Sequence, residues 1–72
     1  MVEVFKTNIN TKGAAAALIA KLKFAIPSAS VHIDLEDCDK VLRVETMNYP
    51  IDEQTVVRLV IENNFYCEVL DY

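Results

Sequence analysis

The sequence predicts an α+β domain with the element order β-α-β-β-α-β, in which a four-stranded antiparallel sheet carries two helices on one face. Three observations predict it. Apolar and polar residues alternate with a period of two in four short runs, as half-buried strands require. Apolar residues recur at i, i+3, i+4 and i+7 in two longer runs, as amphipathic helices require. Turn-forming residues punctuate the joints.

From Val2 to Ile9 the chain is β-branched and aromatic, with polar residues interleaved. Phe5, Thr7 and Ile9 share one side and are expected in the core; Val4 and Lys6 share the other. Ala15, Leu18, Ile19, Leu22 and Ile26 then trace one helix face over residues 14–26, in a segment rich in the strong helix formers Ala and Leu. Asn10 or Thr11 can cap its start, and Pro27 ends it. Val31, Ile33 and Leu35 alternate with His32 and Asp34, and Leu42 and Val44 alternate with Val41, Arg43 and Glu45. The short acidic connection Glu36-Asp37-Cys38-Asp39 makes these two runs a hairpin. After a turn at residues 47–50, Asp52 stands as an N-cap with Glu53 in the first helical turn. Val56, Leu59, Val60 and Asn63 form the inner face of this second helix, with Val57 and Ile61 beside it. Asn63-Asn64 closes it, since Asn tolerates the left-handed conformation. Residues 66–70 form the last strand, with Cys67 and Val69 inward.

Two βαβ-like halves with right-handed crossovers give the ferredoxin-like arrangement, strand order 4-1-3-2. This topology sends three loops to one end of the molecule: residues 10–13, 36–39 and 64–66. A site on this fold is first sought there.

The bulk composition narrows the functional classes. Seventy-two residues, 53% of them apolar and 25% charged, suit a single domain over residues 1–72. A chain of this size buries only roughly 60% of its unfolded surface, so one core must absorb most apolar residues. The net charge of −4 argues against nucleic acid and against an anionic membrane, both of which need clustered Lys and Arg. Glu3 and Lys6 interrupt the region where an export signal would be apolar, and two cysteines do not make a disulfide scaffold, so a cytoplasmic location is expected.

Over its whole length, and most clearly in Val31-His32-Ile33-Asp34-Leu35, the hairpin and the final helix-turn-strand, the chain resembles the heavy-metal-associated domains of copper chaperones and copper-transporting ATPases. In that family the first loop reads Met-x-Cys-x-x-Cys, and its two thiolates bind Cu(I) or another soft ion. The matching stretch here is Ile9-Asn10-Thr11-Lys12-Gly13-Ala14. Ile9 keeps the apolar anchor and Gly13 a frequent glycine, but the two cysteine positions hold Thr11 and Ala14. Soft monovalent copper prefers sulfur ligands; a hydroxyl is hard and a methyl offers no donor. At the start of the last strand, where many family members carry Tyr or Lys, Phe65 is apolar. No metal is therefore expected at this loop.

Cys38 at the hairpin tip is the alternative ligand for Cu(I) or Zn²⁺, bridging two chains. It stands among carboxylates, the opposite of the electropositive setting that activates a thiol. Cys67 reads as core filler. Two strands are expected between the two cysteines; at roughly 4.8 Å per strand they can share neither a disulfide nor a metal. The acidic hairpin lacks the ligand spacing and glycine of a calcium loop. His32 faces outward without partners. No enzyme signature is present: one glycine cannot make a phosphate-binding loop, and Lys12 is a poor substitute for the first-loop Arg of acylphosphatases, which share the topology.

The outer sheet face carries Val4, Lys6, Val41, Arg43, Glu45, Tyr66, Glu68 and Leu70. Its central strands lack the stacked aromatics of RNA-binding sheets, yet Val4, Val41, Tyr66 and Leu70 are expected in water, with Val57 and Ile61 on the second helix. That apolar surface points to a protein-binding module, with a protein partner or a second copy meeting the sheet face or an edge strand. A small-ligand regulatory domain is a further alternative, with no residue selecting a ligand.

Overall fold

The computed structural model describes residues 1–70. The elements are β1 (Val2–Thr7), α1 (Lys12–Ala25), β2 (Ser30–Ile33), β3 (Leu42–Glu45), α2 (Glu53–Glu62) and β4 (Cys67–Val69). The four strands form one antiparallel sheet ordered β2-β3-β1-β4, which from the opposite edge reads β4-β1-β3-β2. Phe5 stands opposite Leu42 on one side and Val69 on the other; Thr7 stands opposite Cys67, and Val31 opposite Val44. Paired residues point to the same face of a sheet, so Phe5, Thr7, Ile33, Leu42, Val44 and Cys67, all buried, mark the face that the helices cover.

Each helix forms where local chemistry starts and stops it. The Thr11 hydroxyl accepts a hydrogen bond from Ala14 N at 3.1 Å, so Thr11 and not Asn10 is the N-cap of α1. Ala15, Leu18 and Leu22 supply its buried stripe, and Ile26 N still reaches Leu22 O before Pro27 ends the ladder. Asp52 caps α2 by accepting from Gln54 N at 3.1 Å and from the Thr55 hydroxyl at 2.8 Å. Val56 and Val60 are its buried residues. Asn64 leaves the helix with φ 69°, the left-handed conformation that Asn tolerates. The two helices and the sheet enclose one core, in which Phe5, Ile9, Leu18, Leu22, Leu42, Val44, Val56 and Val60 are fully buried.

The strands are shorter than the alternation predicts. β1 stops at Thr7, and beyond it the Asn8 side chain, not its backbone, meets the residue that precedes β4: its Oδ1 accepts from Tyr66 N at 2.8 Å. Ile9 is buried outside the strand. β2 ends before Leu35 because the Asp34 carboxylate turns the chain by accepting from Glu36 N at 3.0 Å. The β2–β3 connection therefore spans residues 34–41, longer than the Glu36–Asp39 turn expected.

Val4, Val41 and Leu70, expected in water, are only half-exposed on the outer face. Val4 stands opposite Arg43 and Lys6 opposite Glu68, and long side chains lying on a sheet cover their small neighbours. Val69 shares the inner face, yet it is 40% exposed. It lies on the outer edge of the sheet, where α2 leaves it partly uncovered.

Candidate functional site

Of the three loops expected at one end of the molecule, two, residues 36–39 and 64–66, are held by hydrogen bonds to the end of β1, from which the first loop, residues 10–13, leads off. Thr7 N donates to Asp39 O at 3.1 Å, and the buried Thr7 hydroxyl donates to Lys40 O at 2.6 Å while accepting from Ile9 N at 3.2 Å. Lys6 and Asp39 form an ion pair at 3.6 Å on the outer side. The hairpin thus leans over the end of β1, and Asn8 ties that same end to the start of β4.

The residues of the first loop are committed to structure. Thr11 spends its hydroxyl as the α1 cap, and the half-buried Ala14 donates the N–H that it accepts. Asn10 and Lys12 are exposed. A side chain added at Gly13 would meet nothing within 4 Å, so no packing demand holds a glycine there. Phe65 is half-buried against the core.

Cys38 is exposed at the hairpin tip, and its sulfur lies within 4.8 Å of the carboxylates of Asp37 and Asp39. Both carboxylates already have work. Asp37 Oδ1 accepts from Asp39 N at 2.7 Å, shaping the turn, and Asp39 pairs with Lys6. Lys40 completes the turn in the left-handed region, φ 45°, with its Nζ donating to Leu35 O at 2.6 Å. Cys67 is not part of this group. It is buried beneath the helices, and burial, with Glu68 adjacent, pushes its thiol up to about 11. Such a thiol stays protonated and unreactive at neutral pH.

Two exposed apolar residues, Ile61 and Val69, come together elsewhere; Met1, Val2, Phe24, Met47 and Tyr49 are exposed too, and none of them lines the same surface. Val57 and Ile61 on α2 and Val69 on β4 line an open groove of about 610 Å³ along the outer edge of the sheet. Ile61 is 54% exposed. These residues are neighbours because 57 and 61 are one helical turn apart, and because β4, the edge strand of the sheet among the described residues, leaves Val69 beside that stripe. Arg58 and Glu53 line the same groove with opposite charge, and Glu62 and Glu68 add two negative charges to its rim. Tyr66, 48% exposed, lies on the outer face beside it. A hydrogen bond with Glu68, together with partial burial, raises the Tyr66 phenol above its ordinary pKa.

Of the expected interaction residues, the structure places Ile61 in the groove and Tyr66 and Leu70 immediately before and after β4; Val4 and Val41 belong to the outer sheet face. Val69 is the groove residue that period-two alternation assigns to the core. Phe24, 89% exposed on α1, also escapes the apolar stripe. Its position two residues after Leu22 puts it on the opposite side of the helix, and that spacing is the signal that reveals it.

No family model, curated protein or solved structure matches the chain. No helix among the described residues is long and apolar enough to cross a membrane.

Proposed function

We propose that this chain is a protein-binding module of ferredoxin-like architecture, similar to a heavy-metal-associated domain whose thiol pair has been replaced. It works by contact along the α2–β4 edge rather than by carrying metal. The observation that carries the reading is the exposure of Ile61 and Val69 side by side at an unpaired sheet edge. Edge strands offer unused backbone groups, and natural proteins usually shield them; an apolar groove beside one suits an incoming segment. At the loop end, by contrast, Thr11 caps a helix and Phe65 packs on the core, which supports no ligand there.

A photo-crosslinking residue at Gln54, which lines the groove, tests this in cells of the native host. Discrete adducts that disappear when Ile61→Asp is added are the expected result. Circular dichroism checks the variant's fold, which an exposed position should preserve. Adducts indifferent to Ile61→Asp, or none, would overturn the proposal. Cu(I) titration against a chelating competitor is the complementary measurement. Dithiolate-strength binding that Cys38→Ser abolishes would transfer the function to the hairpin and to a metal.

A further inference from the structure

We infer that the occupant of the α2–β4 groove is an extended segment of another protein in which apolar residues alternate with Lys or Arg, and not a second copy of this chain. This rests on the reading of the groove as a docking site and names what docks.

The extended form follows from β4. Tyr66 N is bonded to Asn8 and Leu70 N to Val4 O. By the alternation of an antiparallel ladder, Glu68 also faces β1, while the main-chain groups of Cys67 and Val69 turn to the open edge. A segment paired there would send alternate side chains to opposite faces of the sheet. One set would lie beside Val57, Ile61 and Val69, where apolar side chains complete the burial. The other set would lie beside Glu68 on the outer face, where a cation is favoured.

Charge selects the partner's sign. With Arg58 and Glu53 offsetting each other, Glu62 and Glu68 leave the groove negative. The Lys6–Asp39 and Arg43–Glu45 ion pairs do not use them, and the hydrogen bond between Glu68 and the Tyr66 phenol leaves the Glu68 charge in place. The chain as a whole is negative too, at −4, which steers a basic segment toward it and repels an acidic one.

The same charges oppose self-association. Full antiparallel pairing of two β4 strands sets Glu68 directly against Glu68, and like charges in that position are destabilising. A head-to-tail contact, with Lys23 and Phe24 of a second copy entering the groove, escapes that clash. Such a heterologous contact has no built-in closure and would run on from copy to copy.

A random dodecapeptide library displayed on phage, panned against the wild-type protein, tests the inference. Enriched peptides should alternate β-branched or aromatic residues with Lys or Arg. The synthesised peptides should fail to bind Ile61→Asp, and should bind Glu62→Lys/Glu68→Lys roughly tenfold more weakly in fluorescence anisotropy, the size of effect expected for two rim charges. Raising the salt should weaken wild-type binding in the same direction. Peptides lost with Ile61→Asp but lacking basic residues, or indifferent to the charge reversal, would overturn the inference and leave the docking site standing. Sedimentation equilibrium showing wild-type self-association that Ile61→Asp or Phe24→Asp dissolves would do the same, by making a second copy the occupant. Failure to enrich any peptide, or binding untouched by Ile61→Asp, would overturn both.

Discussion

Thr7 is buried, with a hydroxyl that gives one hydrogen bond to Lys40 O and takes another from Ile9 N. Thr7→Val preserves the shape and strands both partners. An unsatisfied buried polar group costs about 1–3 kcal/mol, so urea denaturation should find Thr7→Val destabilised by that amount. Thr7→Ser, which keeps the hydroxyl, should lose less. A Thr7→Val protein as stable as wild type would mean that water reaches Lys40 O and Ile9 N. The alternation of Phe5, Thr7 and Ile9 already places Thr7 on the core side, but its partner stands 33 residues away. Periodicity reports the side of a strand on which a residue lies, and it carries no information about distant carbonyls. The first loop is legible for a different reason: Thr11 and Ala14 lack soft donors as residue types, whatever their geometry.

At the scale of an element, α2 is the clearest case. Its cap is written locally, in Asp52, Gln54 and Thr55. The Thr55 hydroxyl is the largest influence holding the Asp52 carboxyl below its ordinary pKa, helped by the N–H groups of Thr55 and Gln54 and by the Arg58 charge, against a smaller opposing effect of desolvation. A carboxylate whose pKa is lowered by folding stabilises the fold above its unfolded pKa, and that contribution disappears as pH falls through the lowered value. Asp52→Ala should therefore melt below wild type at neutral pH, with the gap narrowing on acidification below about pH 4, the ordinary carboxylate range. A gap that stays constant down to strong acid would show that the charge of Asp52 contributes nothing. Such signals lie within a few residues of each other, which is why both helices and their ends can be found from the sequence. The choice between Asn10 and Thr11 could not be made that way, because adjacent polar residues offer the same chemistry and only the path of the backbone selects one. Strand ends escaped for a related reason: Asn8 and Asp34 use side chains to leave the ladder.

The whole molecule has one core shared by six elements and a radius of gyration of 10.9 Å, so it should unfold in a single cooperative step. Its cysteines report on this directly. Cys38 is exposed and Cys67 buried; one thiol should react at once with a disulfide reagent under native conditions. The second should react only as denaturant removes the circular dichroism signal. Early reaction of Cys67 would show that β4 opens separately from the rest. The groove belongs to this scale also. Val69 alternates correctly for a core position, and what exposes it is the placement of α2 relative to the sheet edge, a relation among elements far apart in the chain. β4, finally, is a ladder of only three residues. So brief a template holds one guest strand weakly by its backbone alone and leaves discrimination to the side chains. It also gives little purchase for the stacking of chain upon chain that builds fibres, so an uncovered margin here need not make the protein prone to amyloid.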